Sequence, residues 1–515
     1  MSPGETLSDR SRWGAVPKLH RGVCMNSKCS LLLSVFAAVL ALTSCSGSKN
    51  SCTTNCTTTD AIVNITLFDI PATGITVLSY SLPIVGISLT PSTGTAVSIY
   101  SPTSIVPIEL TRLQTESALI AMDVQVPAGT YTAINVTLAT SSGMFINESS
   151  SVLNGNCSVG LVCPLLGGAA TTVSIPMSLT LNSGQTTWLG LDVSLNNAIT
   201  APTTTTVAAD FTQANTFAAI TTPRTGTPSG AFDTIGDFIG TVTALSPSSI
   251  TVQNTITGQS LTATLSSGTH FDAAPSTYSN CSNGSSCIAK GSVVSMDAAL
   301  TTSSTLVATE VDVLDAAAID EVEGVIIYPL PNEPTGVVGM ILADKTSTGD
   351  SATLGASTTT YGTPILVTAS TNINYVIDEK NLSNIITPVG FSGSGDLLAG
   401  QQIRAQVTNV ASPTSGITAT ATNVLLRWSR FSGSINTVAG NNFSVARIPT
   451  YMNVFNANLP LAPLVFTYSN GTLFDGVTGT GDPNFVVGKS VAIRALYLNP
   501  LTSTPPFQAA KIRVP

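Results

Sequence analysis

From Asp60 to about Asn215 the chain alternates apolar and polar residues at period two, in "AIVNITLFDI", "GITVLSYSL", "VGISLT", "YTAINVTLAT", "TTVSIPMSLTL" and "TTWLGLDVSL". Successive side chains of a strand point to opposite faces, so this alternation specifies half-buried strands. The Gly, Pro and Asn breaks at short intervals specify turns between them. A domain patterned this way is a β-sandwich. One segment, "TESALIAM", has helical spacing but is too short to change the class.

After a Thr/Pro-rich stretch around "AITTPRTGTPSGAF", the sequence repeats a frame three times. Each unit opens on a strand with a glycine: Gly240 in "DFIGTVTAL", Gly324 in "EVEGVIIY" and Gly433 in "RFSGSINTV". A G-x-x-[VI] strand start follows, at Gly291 with Val294, Gly400 with Ile403, and Gly488 with Val491. An Ala-x-x-[VI]-x-[VL] strand closes each unit: Ala308, Val311 and Val313; Ala421, Val424 and Leu426; Ala509, Ile512 and Val514. The opening glycines stand 84 and 109 residues apart. That spacing is too wide and uneven for a solenoid, and it fits small independent β-barrels in series. The expected architecture is all-β: a β-sandwich over 61–215, a linker over 216–235, then barrel-like units over 236–316, 317–427 and 428–515.

Ahead of the sandwich, Met25 begins a short segment with Lys28, an apolar run from Leu31 to Leu42, and small residues before Cys45. This is the layout of a signal peptide, over 25–44. The apolar run is about a dozen residues, and a spanning helix needs roughly 20. The closing residues Leu42, Thr43, Ser44 and Cys45 resemble the lipobox of bacterial lipoproteins. That resemblance implies cleavage before Cys45, a diacylglycerol on its thiol, and a membrane as partner through the N-terminal lipid. Ser46 is not the aspartate associated with inner-membrane retention, so the expected location is the cell envelope, as an outer-membrane lipoprotein. The Ser/Thr/Asn-rich stretch over 45–60 has nothing to bury and reads as a tether. Residues 1–24 read as an over-extended start, with translation beginning at Met25.

Two further resemblances lie downstream. The segment "VPAGTYTAINVTL", Val126 to Leu138, is similar to a motif of extracellular sandwich domains, and the domain resembles the N-terminal part of a bacterial lipoprotein family of unknown function. The threefold frame resembles a second bacterial family of unknown function, whose small barrel-like units occur in series.

Five of the 19 Lys+Arg and two of the 28 Asp+Glu precede Cys45, leaving 14 basic and 26 acidic residues and a net charge of −12. No Lys/Arg run follows Cys45, so a phosphate backbone, which needs clustered basic side chains, is not an expected partner. Only 9% of all residues are charged, against about a quarter in an average domain. Beyond Cys45, six cysteines form close pairs in sequence: Cys52 with Cys56, Cys157 with Cys163, and Cys281 with Cys287. In polar loop text they read as short disulfides of an oxidising compartment. Zinc would want C-x2-C knuckles or histidines, and His270 is the one histidine after the leader. No metal or cofactor is expected.

Chemistry is sparse. His270 and Asp272 could form a base and its orienter, but they also read as the polar end of a strand. Asp312, Asp315, Asp320, Glu321 and Glu323 form an acidic run that reads as a solvated linker between the first and second units, without the oxygen spacing of a calcium loop. The third unit holds 11 of the 29 aromatic residues, including Trp428, Phe431, Tyr468 and Tyr497. They suit a barrel core; Tyr451 and Phe455, off the alternating strands, are the candidates for stacking on a sugar ring. The functional expectation is a non-enzymatic binding or structural module with polysaccharide or an envelope protein as ligand. The alternative is a secreted hydrolase of extracellular polymer.

Overall fold

The computed structural model describes residues 60–514, apart from segments at 73–74, 201–205, 222–230, 273–283, 302–304, 315–319, 330–335, 348–351, 356–360, 378–390, 415, 447–448, 450, 453–463 and 500–505. Cys45, Cys52, Cys56, Cys281, Asp315 and Phe455 lie outside the described residues.

The sandwich contains β1 (Asp60–Ile70), β2 (Thr76–Leu82), β3 (Ile84–Pro91), β4 (Val97–Tyr100), β5 (Ile108–Glu109), β6 (Ala118–Pro127) and β7 (Gly129–Leu138). It continues with β8 (Ser142–Ile146), β9 (Val162–Leu165), β10 (Thr171–Leu181), β11 (Thr186–Ser194), β12 (Ile199–Thr200), β13 (Ala208–Ala209) and β14 (Phe217–Ile220). Three four-stranded sheets result, in the orders β14-β11-β1-β6, β10-β7-β3-β4 and β5-β2-β8-β9. The alternation is realised residue by residue: Ala61, Val63, Ile65 and Leu67 of β1 are fully buried. The segment "TESALIAM" is not helical; most of it enters β6, where pairing with β1 overrides a weak helical spacing. Because β14 pairs with β11, the sandwich runs past residue 215 to Ile220.

The second and third repeat units are closed five-stranded barrels. The second consists of β21 (Asp320–Pro329), β22 (Val337–Ser347), β23 (Pro364–Ile377), β24 (Gln402–Ala411) and β25 (Ile417–Arg427), and the third of β26 (Ser429–Ala439), β27 (Asn442–Val445), β28 (Leu464–Asp475), β29 (Ser490–Tyr497) and β30 (Phe507–Arg513). Their closed orders, β21-β22-β23-β25-β24 and β26-β27-β28-β30-β29, are the same circuit. The first unit is a six-stranded sheet that keeps the same strand order, with β15 (Ala231–Ser246), β16 (Ser249–Gln253), β19 (Val293–Thr301) and β20 (Leu306–Leu314). Its third strand is split into β17 (Ser260–Thr264) and β18 (His270–Asp272), both parallel to β20. This five-stranded Greek-key circuit is of the OB-fold type, a scaffold shared by unrelated functions.

The repeated glycines have physical reasons. Gly291, Gly400 and Gly488 have φ of 96°, 97° and 89°, in the left-handed region where a side chain is strained. Each donates its N–H over 2.8 Å to the residue two past its unit's opening glycine: Val242, Ile326 and Ile435. At the opening glycine a carbonyl of the next strand comes close: an added Cβ would lie 2.3 Å from Gln253 O at Gly240 and 2.1 Å from Ile341 O at Gly324. At Gly433 its nearest neighbour would be Val445 Cβ at 3.4 Å. We therefore expect Gly240→Ala and Gly324→Ala each to cost about 1–3 kcal/mol as overpacking, with Gly433→Ala close to neutral. Denaturant midpoints of the three variants check the ordering.

The units are not independent beads. The first unit's core packs against Leu119, Met122 and Trp188 of the sandwich. The second unit's core takes in Leu496, Leu498 and Ala510 of the third. The third unit's core includes Ile327 and Ile341 of the second and Leu78 and Ile146 of the sandwich.

Candidate functional site

Arginine is seldom buried without a partner. Here the side chain of every arginine among the described residues is 10% exposed or less: Arg112, Arg404, Arg427, Arg430, Arg494 and Arg513. They gather with acidic residues at the meeting of the sandwich and the three repeat units. Position in the repeat explains this. Three residues before each opening glycine stand Asp237, Glu321 and Arg430, and three residues after the [VI] of each G-x-x-[VI] start stand Asp297, Gln406 and Arg494. The charges sit at non-core positions of the first, fourth and fifth strands of the circuit, acidic in the first unit, mixed in the second and basic in the third. Those strand faces meet one another, so opposite charges are matched between units.

The contacts cross every boundary. Arg404 of β24 places Nε 3.0 Å from Glu323 and Nη1 3.5 Å from Asp312. Arg427 of β25 reaches Asp237 and Asp312, each at 3.5 Å, and Glu323 at 3.7 Å. Arg494 of β29 pairs with Glu116 and lies 3.9 Å from Asp297. Arg430 of β26 donates from Nη1 to Gln402 Oε1 at 2.6 Å and lies 3.6 Å from Glu116. Gln402 in turn donates to Glu323 at 2.5 Å, which links the two halves.

Besides Glu116, the sandwich enters this network through one turn. A 3-10 helix, Leu110–Gln114, follows β5. Its first turn is held by the buried Glu109 carboxylate, which accepts from Thr111 N at 3.1 Å, Tyr80 N at 2.8 Å and Ser79 Oγ at 2.5 Å. That fixes Arg112, which pairs with Asp237 of the first unit and donates to Asp344 of the second at 2.8 Å. At the helix's other end Arg513 of β30 donates to the carbonyls of Leu113 and Gln114 at 3.4 and 3.3 Å, and its guanidinium lies 4.7 Å from the Phe68 ring centroid.

Electrostatics follows the geometry. Burial works against the Asp237 carboxylate, but Arg112, Arg427 and Arg404 outweigh it and hold its pKa far below the usual range. Glu323 is likewise brought down to about 2, burial being outweighed by Arg404 and Arg427. Glu321 goes the other way: burial, with Glu323 and Asp344 nearby, pushes it up to about 7 against the pull of Arg404. Neither Glu321 oxygen has a hydrogen-bond partner among the described residues. Burial lowers Arg430 to about 10 and Arg494 to about 9, the charge of Arg112 adding to both.

The acidic run between the first two units is thus not a solvated linker. Asp312, Asp320, Glu321 and Glu323 are all buried, because β20 and β21 carry them as strand residues and neighbouring units cover their faces. Tyr451 is a second correction: it is 5% exposed and belongs to the third unit's core, so it offers no face for a sugar. The other aromatics fill that core as edge and stacked pairs, for example Phe431 with Phe466 and Tyr497 with Phe507. His270 and Asp272 lie on β18, beside Glu310 and Asp312 of β20. Cys157 and Cys163 form a disulfide, and Cys287 is also disulfide-bonded.

No curated protein matches the sequence. Residues 60–226, which contain the whole sandwich, match the family described as Domain of unknown function (DUF4382), so one such domain stands ahead of the three repeat units.

Proposed function

We propose that the protein is a non-enzymatic lipoprotein of the cell envelope, anchored through Cys45, whose sandwich and barrels form one rigid body that serves as a binding or structural module for polysaccharide or an envelope protein. The observation that carries this reading is the buried ion-pair network, which ties all four domains together. Buried pairs add little net stability, and in some proteins they serve to hold one arrangement, which is what a presenting scaffold needs. The network also engages carboxylates of the kind a hydrolase draws on: Asp237, Asp312 and Glu323 pair with guanidiniums.

Fractionation of cells expressing wild type and Cys45→Ala tests the anchor, with the released protein then applied to an array of bacterial and plant polysaccharides. The expected result is wild type in the outer membrane, the variant in the soluble fraction, and binding without cleavage. Retention of the variant in membranes, or release of sugar products, contradicts the proposal.

A further inference from the structure

A cleft of about 200 Å³ opens where the sandwich meets the first and second units. Its lining is mixed, with Val106, Ile108 and Leu119 from the sandwich, Phe238 from the first unit, and Asp344 and Tyr361 from the second. The Asp344 side chain is 14% exposed, the most of any in the ion pairs above. It accepts from Arg112 Nη1 at 2.8 Å and from the Lys345 backbone N–H at 2.7 Å, so part of a carboxylate's acceptor capacity stays unused. Burial raises the Asp344 carboxyl against the pull of Arg112, and Glu323 adds to the rise, so its charge is incompletely answered. The other acidic groups of the lining are spent. Glu116 is met by Arg430 and Arg494, Asp237 by Arg404 and Arg427, and Glu109 accepts from Ser79, Tyr80 and Thr111. Tyr361 is half-buried, and its hydroxyl makes no hydrogen bond among the described residues. Burial, with Asp344 next in effect, raises its phenol, so it stays neutral. The open charge of the cleft is therefore negative and sits on Asp344.

We propose that this cleft binds a small primary alkylammonium ion, its N–H groups donating to the Asp344 carboxylate and the Tyr361 oxygen, its hydrocarbon body against Val106, Ile108 and Leu119. Charge-assisted hydrogen bonds are the strong kind, and a few polar groups set among apolar side chains are the usual make of a small-molecule site. A carboxylate or phosphate does not fit, because it would meet Asp344 while Arg112, the one cation of the lining, is already paired with Asp237 and Asp344. A neutral alcohol of the same shape would leave the Asp344 charge unanswered. This site stands apart from the anchor and from any polysaccharide surface, so either reading can fail without the other.

The test is calorimetric titration of the full-length protein with 3-methylbutylammonium chloride, and with 3-methylbutan-1-ol as the uncharged isostere. Saturable binding of the amine is expected, at least tenfold weaker for the alcohol and for Asp344→Asn. Tyr361→Phe, which keeps the ring and removes the hydroxyl, should weaken binding about threefold to tenfold, as for one hydrogen bond. Val106→Trp, in the loop before β5 and outside the ion pairs, fills the cleft. It should abolish binding while leaving the melting temperature near wild type. Nα-acetyl-lysine amide separates two sources of the same chemistry: binding equal to the free amine's assigns the site to a lysine side chain of a protein, and weaker binding to a small amine. No binding of the amine, equal binding of the alcohol, or unchanged binding in Val106→Trp or Tyr361→Phe overturns the proposal.

Discussion

Replacing Arg404 by Met is expected to destabilise the protein by about 3–5 kcal/mol, the cost of leaving buried charges uncompensated. Its guanidinium serves Glu323 at 3.0 Å, Asp312 at 3.5 Å and Asp237 at 4.0 Å. The variant keeps the side-chain volume, so the loss is electrostatic and not a cavity. An exposed ion pair would contribute about 0–1 kcal/mol, which makes the size of the effect diagnostic of burial. Denaturant unfolding at low and high salt measures it. A loss below about 1 kcal/mol, or one that salt erases, would mean that the pairs are solvated.

Glu321→Gln should act in the opposite direction. The Glu321 carboxyl is pushed up to about 7 when folded, against about 4.3 in an unstructured chain. The folded state therefore binds a proton more readily than the unfolded state between those values, and stability from this group rises as pH falls from about 7 toward 4.3. Above pH 7 both states are ionised, and the buried anion costs up to about 4 kcal/mol. The amide removes that cost, so the variant should be more stable than wild type at pH 8 by as much as that amount and nearly equal to it at pH 4.5. Glu323, brought down to about 2, has the reverse sign: its contribution is complete above the unfolded value and disappears as pH falls through the folded one. Wild type should accordingly be most stable near pH 5. Unfolding of both proteins from pH 4 to 9 checks this; parallel curves would show that Glu321 is not a buried carboxyl.

Much of this architecture was legible in the alternation and the repeat. The G-x-x-[VI] glycines mark the same left-handed turn in all three units, and the opening glycines mark a close strand approach in two of them. The class, the order of domains and the barrel core of Phe431, Phe466 and Phe507 follow from the pattern of side chains along single strands. What single strands do not carry is which face meets another domain. Asp312 to Glu323 look like an acidic linker until β20 and β21 are seen to be covered on both sides. Tyr451 looks free because it lies off the alternating strands, yet it folds back into the third unit's core. A signal was present: in a sequence with so few charges, aspartate and glutamate recur at the non-core positions of the first, fourth and fifth strands of the first unit, and arginine at those of the third. Aligning the three repeats and reading those positions together would have matched the units to one another.

The most direct test of a single charge-locked body is scanning calorimetry of the full-length protein beside Arg404→Met. One cooperative transition in wild type, moved as a whole to lower temperature in the variant, is the result predicted here. Separate transitions for sandwich and barrels, with the substitution shifting the second unit's alone, would contradict it.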